Sequence, residues 1–262
     1  MKRLIVTADD FGYNGAVNEA VLRAYQGGIL RYASLMVDRP GAAEAARLAR
    51  ANPGLGVGLH LELCADNPAI WGARYFFSPG DRARLRPEIE RQLDALLALG
   101  VTPTHVDGHL NIHAHPVIFP ILSRFARERG IPRIRLPGGE AAICRSFGTS
   151  GPVVLLNAAV FALMRWWLNG QQGSLAMPAR TWGLLRSGLM TEDYLVHLIE
   201  SLPEGETEIY LHPTADPASA VTDRPTPTHH TVTELRSLLS PRVRAALDRC
   251  GAVLSGERAA AG

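Results

Sequence analysis

Short apolar runs alternate along this chain with longer stretches whose apolar residues recur every three or four positions. "LIVTA", from Leu4 to Ala8, reads as a buried strand. In "NGAVNEAVLRAYQGG", Val17, Ala20, Val21 and Ala24 share one helical stripe, and Gly27-Gly28 stops it. "ASLMV" precedes the helical "GAAEAARLARA". "GVGLHLEL" comes next, and a polar and aromatic stretch then leads into "PEIERQLDALLALG", with Ile89, Leu93, Leu96 and Leu97 turned inward. "THVDGH" predicts a strand, "PVIFPILSRFARERG" a helix and "RIRLP" a short strand. "TEDYLVHLIESL" follows as a helix, "EIYLHP" as a strand and "VTELRSLLSPRVRAALDRCG" as a final helix or pair, with "AVLSG" as a last strand.

About seven strand–helix units predict an α/β fold with a parallel sheet, closed as an irregular TIM-like (β/α) barrel. A doubly wound open sheet is the alternative. The first turn, "ADDFGYNGA", has no GxGxxG and so no dinucleotide fingerprint. One segment breaks the rhythm: "VVLLNAAVFALMRWWL", residues 153–168. It predicts an apolar helical insertion, about residues 145–185, within a single domain spanning 1–262. Interrupted by Asn157 and Arg165, it is short for a membrane span.

Composition narrows the classes. Of 262 residues, 47% are hydrophobic and 20% charged, enough apolar sequence for a sizeable core. A formal charge of +2 gives no electrostatic reason to expect a nucleic-acid partner. Cys64, Cys144 and Cys250 are far apart and form no CxxC, so a reducing, cytoplasmic setting is expected. After Met1-Lys2-Arg3 the apolar run is too short for a secretory leader, and none is expected.

The chemistry concentrates at the ends of the expected strands. Asp9 and Asp10 close the first. His60 lies on "GVGLHLEL", and His212 ends "EIYLHP". "THVDGHLNIHAHP" carries His105, Asp107, His109, His113 and His115. In an α/β barrel these C-terminal strand ends converge on one face, where active sites are built. Imidazole and carboxylate suit a divalent ion such as zinc, and spare groups would serve as acid and base. The plainer readings are specific. Asp9 or Asp10 would cap the next helix. His60 or His212 alone would be a satisfied core histidine. His105 is expected to turn away from Asp107, His197 to be structural, and His229-His230 to be solvated in a Pro/Thr-rich loop.

"TADDFG", "VGLHLEL", "THVDGHLNIHAHP" and "EIYLHP", in this order over nearly the whole chain, resemble the YdjC-like carbohydrate deacetylase family. "AVNEAV", "ASLMV", "ARYFFSP", "PEIERQL" and "GLLRSGLMTEDYL" resemble its hopanoid-biosynthesis-associated (HpnK-like) branch. The resemblance implies a barrel-like fold and metal-dependent removal of an acetyl group from an amino sugar. It places one divalent metal ion, zinc or magnesium, on Asp10, His60 and His109. It makes Asp9 the base and His212 the first candidate for the acid, with His113 lining the same site. Asn111 departs from the family pattern, which is frequently basic or His there.

The branch resemblance implies an N-acetylglucosaminyl lipid as substrate. The apolar segment with Trp166 and Trp167, and the cluster "WGARYFF", would serve a greasy groove or a membrane surface. Peripheral contact with the inner face of the membrane is the corresponding expectation. A core helix or a homodimer interface is the other reading of the same segment. A soluble chito-oligosaccharide deacetylase, a metal phosphoesterase and a non-enzymatic lipid-binding protein are the alternatives.

Overall fold

The opening apolar run becomes β1 (Lys2–Phe11), with Leu4, Ile5 and Val6 fully buried. Burial of side chains of this size stabilises by about 1.5–3 kcal/mol each. The computed structural model describes residues 1–64, 67–216 and 230–256. Around β1 the described chain forms a parallel sheet. In order along the chain, the strands after β1 are β2 (Tyr32–Leu35), β3 (Gly56–Leu61), β4 (Val106–Gly108), β5 (Arg180–Trp182), β6 (Gly205–Leu211) and β7 (Val253–Leu254). The sheet runs β4-β3-β2-β1-β6-β5, and β7 pairs with the first residues of β1. The register sets Ala8 beside Leu211 and His60 beside Asp107. Isolated bridges, Val106 to Ile134, Arg133 to Ala176 and Gly138 to Thr181, carry the curl on from β4 towards β5. This is a curled half-barrel of the TIM-like kind, flanked by helices. "RIRLP" contributes bridges to it rather than a regular strand.

The helices follow the hydrophobic stripes. On α1 (Gly15–Gly27) the buried face is Val17, Asn18, Ala20, Val21 and Ala24, and the Asn14 side chain caps it by accepting from Val17 N–H. The helix-cap reading of the aspartates therefore fails: Asn14 fills that place. α2 (Ala42–Ala51) buries Ala42, Ala45, Ala46 and Ala49 on one face. The polar and aromatic stretch after β3 is a helix, α3 (Pro68–Phe77), with Asn67 as cap and Pro68 in the first turn. α4 (Pro79–Ala98) starts earlier than the pattern suggested and contains Pro87. A 3₁₀ turn (His109–Ala114) leads to α5 (Ile118–Glu128). The final helical stretch is a pair, α9 (Val232–Leu239) and α10 (Pro241–Cys250), packed against α8 (Glu192–Glu200).

Between them lie α6 (Ala141–Ser146) and α7 (Pro152–Leu168). α7 rests on the body along a narrow seam that includes Val154, Ala158, Phe161 and Leu168. Its one charge, Arg165, turns inward and donates to the carbonyl oxygens of Leu136, Pro178 and Ala179. The remaining circumference exposes Val153, Leu155, Leu156, Val160, Leu163, Trp166 and Trp167, the tryptophans at 73% and 59%. A sealed core helix is excluded. No described helix is long and apolar enough to cross a membrane.

Candidate metal and hydrolytic centre

Successive strand residues normally face opposite sides of a sheet. Asp9 and Asp10 escape that rule. The β1–β2 register shifts between Ala8 and Phe11, and Asp10 has a φ of +62°. A bulge of this kind re-aims a side chain. A left-handed, non-glycine backbone costs on the order of 1–3 kcal/mol, and such strain gathers at functional sites. Leu110 and Asn111 repeat it, at φ 53° and 54°, immediately after His109.

Asp10 is fully buried and lies among imidazoles. Its Oδ1 is 3.1 Å from His60 Nε2 and 3.0 Å from His109 Nδ1. Burial alone would raise its pKa. The imidazoles, His109 foremost, override burial and hold the carboxyl well below the usual range. Burial likewise works against charge on His60, but the carboxylates of Asp9 and Asp107 raise it well above an ordinary histidine. The other ring nitrogen of His60, Nδ1, meets Asp107 Oδ1 at 2.7 Å. A carboxylate behind an imidazole in this way fixes the ring of a metal ligand.

Asp9 meets different partners in the same site. Its Oδ2 accepts from Arg135 Nη1 at 2.7 Å, and its Oδ1, though buried, has no hydrogen-bond partner. Arg135 is 1% exposed and also pairs with Asp107 Oδ2 at 2.9 Å and Glu208 Oε1 at 3.0 Å. Its guanidinium lies 4.6 Å over the Tyr210 ring. Thr7 donates to Glu208, and Ser34 donates to Asp107.

The predicted residues divide accordingly. Donor atoms of Asp10, His60 and His109 lie within 4.8 Å of one another. His212 is near them, with Nε2 3.9 Å from Asp9 Oδ2 and Nδ1 3.3 Å from Ser187 Oγ. Burial lowers the pKa of His212 to about 4. His113 stands apart: its Nε2 donates to the Arg135 carbonyl oxygen at 3.0 Å, and burial lowers it, too, to about 4. Asn111 donates to the Tyr210 hydroxyl. His105 does not turn away from Asp107, because residues two apart on a strand share a face. Ser34 bridges the two, 3.0 Å from His105 Nε2. His197 pairs with Ser146 outside the site.

His230 corrects its expectation most sharply. It is 4% exposed, and its Nε2 lies 2.9 Å from Asp10 Oδ2. His229 lies outside the described residues. Arg135, Glu208 and His230 were all missed as site residues. The first two sit in short strand-like runs, where alternation with Ile134 and Ile209 was a usable signal for an inward polar side chain.

The donor set fits a divalent ion. It offers a carboxylate and imidazoles, supported from behind, with the orphan lone pairs of a buried carboxylate beside them. The fit rests on a physical imbalance as well. Arg135 pairs with the buried carboxylates of Asp9, Asp107 and Glu208, and a fourth, Asp10, is left to imidazoles alone.

The model of the YdjC-like protein family matches residues 3–249. A carbohydrate deacetylase of Geobacillus stearothermophilus is 40% identical over 140 residues, covering 49% of this chain and 57% of that protein. A chitooligosaccharide deacetylase of Serratia marcescens is 35% identical over 156 residues, 53% of this chain and 61% of its own. A carbohydrate deacetylase of Thermoanaerobacter pseudethanolicus is 29% identical over 81% of each chain. The first two alignments thus span less than two thirds of those relatives. A crystal structure from Enterococcus faecalis V583, whose name refers to cellobiose-phosphate cleavage, shares the fold, with a TM-score of 0.69 at 20% identity over 97% of each chain.

Proposed function

The chain belongs to the YdjC-like family, and on that footing we propose that it is a metal-dependent carbohydrate deacetylase that removes the N-acetyl group from an amino sugar. The observation that carries this reading is Asp9 set directly beside the Asp10–His60–His109 donor cluster. Relatives named as carbohydrate and chitooligosaccharide deacetylases support the substrate class.

A divalent ion held by Asp10, His60 and His109 would polarise the amide carbonyl and make a water more acidic. Asp9 accepts one proton of that attacking water. Its Oδ1 is the open acceptor, while Arg135 fixes the other oxygen. His212 delivers a proton to the leaving nitrogen. It is neutral at pH 7 and must first be charged by the proton Asp9 has taken up; the pair stand 3.9 Å apart at Asp9 Oδ2, beyond direct hydrogen-bond reach, so that transfer would run through a water. A low pKa then makes His212 a strong donor. Acetate and a free amine result. His113, bound to a backbone carbonyl, is the second candidate for the acid.

The finer reading is an amino sugar carried on an apolar, hopanoid-like aglycone. The exposed face of α7 supports it. So does a cavity of 290 Å³ lined in part by Ala158, Phe161, Leu184 and Leu185. The loop that follows β5 borders both this cavity and, through Ser187, His212. The same face would lie against a membrane surface or a second copy of the chain.

The test has two parts. Ala variants of Asp10, His60 and His109 are assayed for bound metal, and a sharp loss is expected from each. Full occupancy in all three would refute the site. Metal-loaded protein is then given N,N′-diacetylchitobiose or an N-acetylglucosaminyl lipid, and mass spectrometry follows loss of an acetyl group. Turnover of the sugar alone would leave the deacetylase and remove the lipid. Turnover of neither would refute both.

A further inference from the structure

The chain between β5 and α8, residues 183–190, is held by buried carboxylates at both ends. It leaves β5 through Gly183, whose φ is +124°, and a Cβ there would collide with the Tyr210 carbonyl oxygen. Glycine therefore permits an exit this close to β6. Glu140, just before α6, accepts from the N–H groups of Gly183 and Leu185, the latter at 3.0 Å. Glu234, in the first turn of α9, accepts from Gly188 and, at 3.2 Å, from Met190. Its second oxygen accepts from the His212 N–H at 2.6 Å. Between these anchors Arg186 lies over the rings of Phe147 and Tyr194. Ser187 follows, with its Oγ 3.3 Å from His212 Nδ1. One carboxylate, Glu234, thus ties down the backbone on both sides of that contact. Fixing a single loop residue costs about 1–2 kcal/mol, and burying carboxylates adds to it. Loops ordinarily escape both costs by running over the surface.

We propose that Ser187 is a positioning residue for His212: its hydroxyl oxygen accepts the Nδ1 proton and so keeps Nε2 as the nitrogen that takes up and gives away the catalytic proton, while Glu140 and Glu234 set the place of Ser187. The inference rests on the reading of His212 as the acid and deepens it. A neutral imidazole carries one proton, on either nitrogen. Nε2 is the nitrogen 3.9 Å from Asp9 Oδ2. It can receive a proton from that side only if it is bare, which puts the resting proton on Nδ1, facing Ser187. The same Nδ1–H is present in the charged ring, so the contact persists unchanged through the transfer. The choice of a hydroxyl has a chemical reason too. Asp107 backs His60 at 2.7 Å with a full negative charge, which favours the imidazolium. A neutral hydroxyl fixes the ring of His212 without holding the charge on it, as a proton donor requires.

Nitrogen NMR of the zinc-loaded, ¹⁵N-histidine-labelled protein at neutral pH reads the tautomer, with His212→Gln assigning the signal. The wild type should carry the proton on Nδ1. Ser187→Ala should shift the ring towards the other tautomer and lower kcat by about 10–100-fold, the usual loss for a group that orients another, with KM and metal content unchanged. Ser187→Thr keeps the hydroxyl and should recover most of that loss. A wild-type proton on Nε2 would overturn the proposal. So would a folded Ser187→Ala with unchanged tautomer and kcat, or a Ser187→Thr no faster than Ser187→Ala. Near-normal turnover by His212→Ala would remove the acid and the role of Ser187 with it, and leave the deacetylase reading standing. A wild type inactive on both the sugar and the lipid would overturn both.

Discussion

Replacing Arg135 by Met tests the buried charge network on which Asp9 is mounted. The guanidinium bonds Asp9 at 2.7 Å, Asp107 at 2.9 Å and Glu208 at 3.0 Å, and all four groups are at most 2% exposed. Met keeps the length and apolar stem of the side chain but leaves the carboxylates without their cation. Removing one partner of a buried ion pair typically costs about 3–5 kcal/mol. The loss here is spread unevenly. Asp107 keeps Ser34 and His60, and Glu208 keeps Thr7. Asp9 loses the only hydrogen bond shown for its carboxylate. A loss of about 4 kcal/mol is therefore expected, most of it on Asp9. At roughly 2–4 °C per kcal/mol for chains near this size, the midpoint falls by about 8–16 °C. Urea unfolding, followed by two spectroscopic probes to confirm a single transition, measures it. A second change sharpens the test. Adding Glu208→Gln to Arg135→Met removes one orphaned charge, so the double variant should be more stable than the sum of the singles by about 0.5–3 kcal/mol. Strict additivity, or a loss under about 1 kcal/mol for Arg135→Met, would show that the network does not hold Asp9 in place.

Asp9→Asn should keep the fold and the metal but lower hydrolysis by about 10²–10⁴-fold, the usual range for a general base; near-normal turnover at saturating substrate would remove Asp9 from the chemistry. Trp166→Ala with Trp167→Ala should weaken a lipid-linked substrate and leave a soluble N-acetylglucosamine analogue unaffected, with thermal stability little changed because both side chains are exposed; equal losses on both substrates would sink the lipid reading. Glu234 is wholly buried, and burial pushes its carboxyl up to about 7 although backbone N–H groups of His212, Met190 and Gly188 donate to it. A folded pKa above the unfolded value makes this contribution complete below about 4.5 and lost as pH rises through 7, on the order of 3 kcal/mol. Glu234→Gln should flatten the stability–pH curve in that window, and an unchanged slope in pH-dependent urea unfolding would assign the dependence elsewhere.

The strand–helix alternation and the helical stripes were legible because both are local: period two and period 3.6 report burial within a few residues. The gathering of Asp9, Asp10, His60, His109 and His212 on one face was legible from the fold rule for strand ends, while their division into ligands, base and acid came only from the family resemblance. His230 was illegible for a physical reason. It precedes a helix start in a Pro/Thr-rich context that reads as solvent, and only the bridge between Pro213 and Thr231 brings it to Asp10. Arg135 and Glu208 were hidden differently. Each reads as an ordinary charge in a short run, and their pairing spans 73 residues. The aspartate pair at the end of the first strand joins these two kinds of residue. With one guanidinium shared by three carboxylates and a fourth, Asp10, outside its reach, charge approaches balance only if positive charge gathers at Asp10. Arg135 is committed to Asp9, Asp107 and Glu208 and makes no ion pair with Asp10. That leaves Asp10 to imidazoles, where the proposed function would set a cation, and leaves Asp9 bonded to Arg135 through one oxygen while the other has no hydrogen-bond partner. Side-by-side aspartates thus become chemically different by their partners, and the bulge at Asp10 is what lets neighbours in sequence share one site.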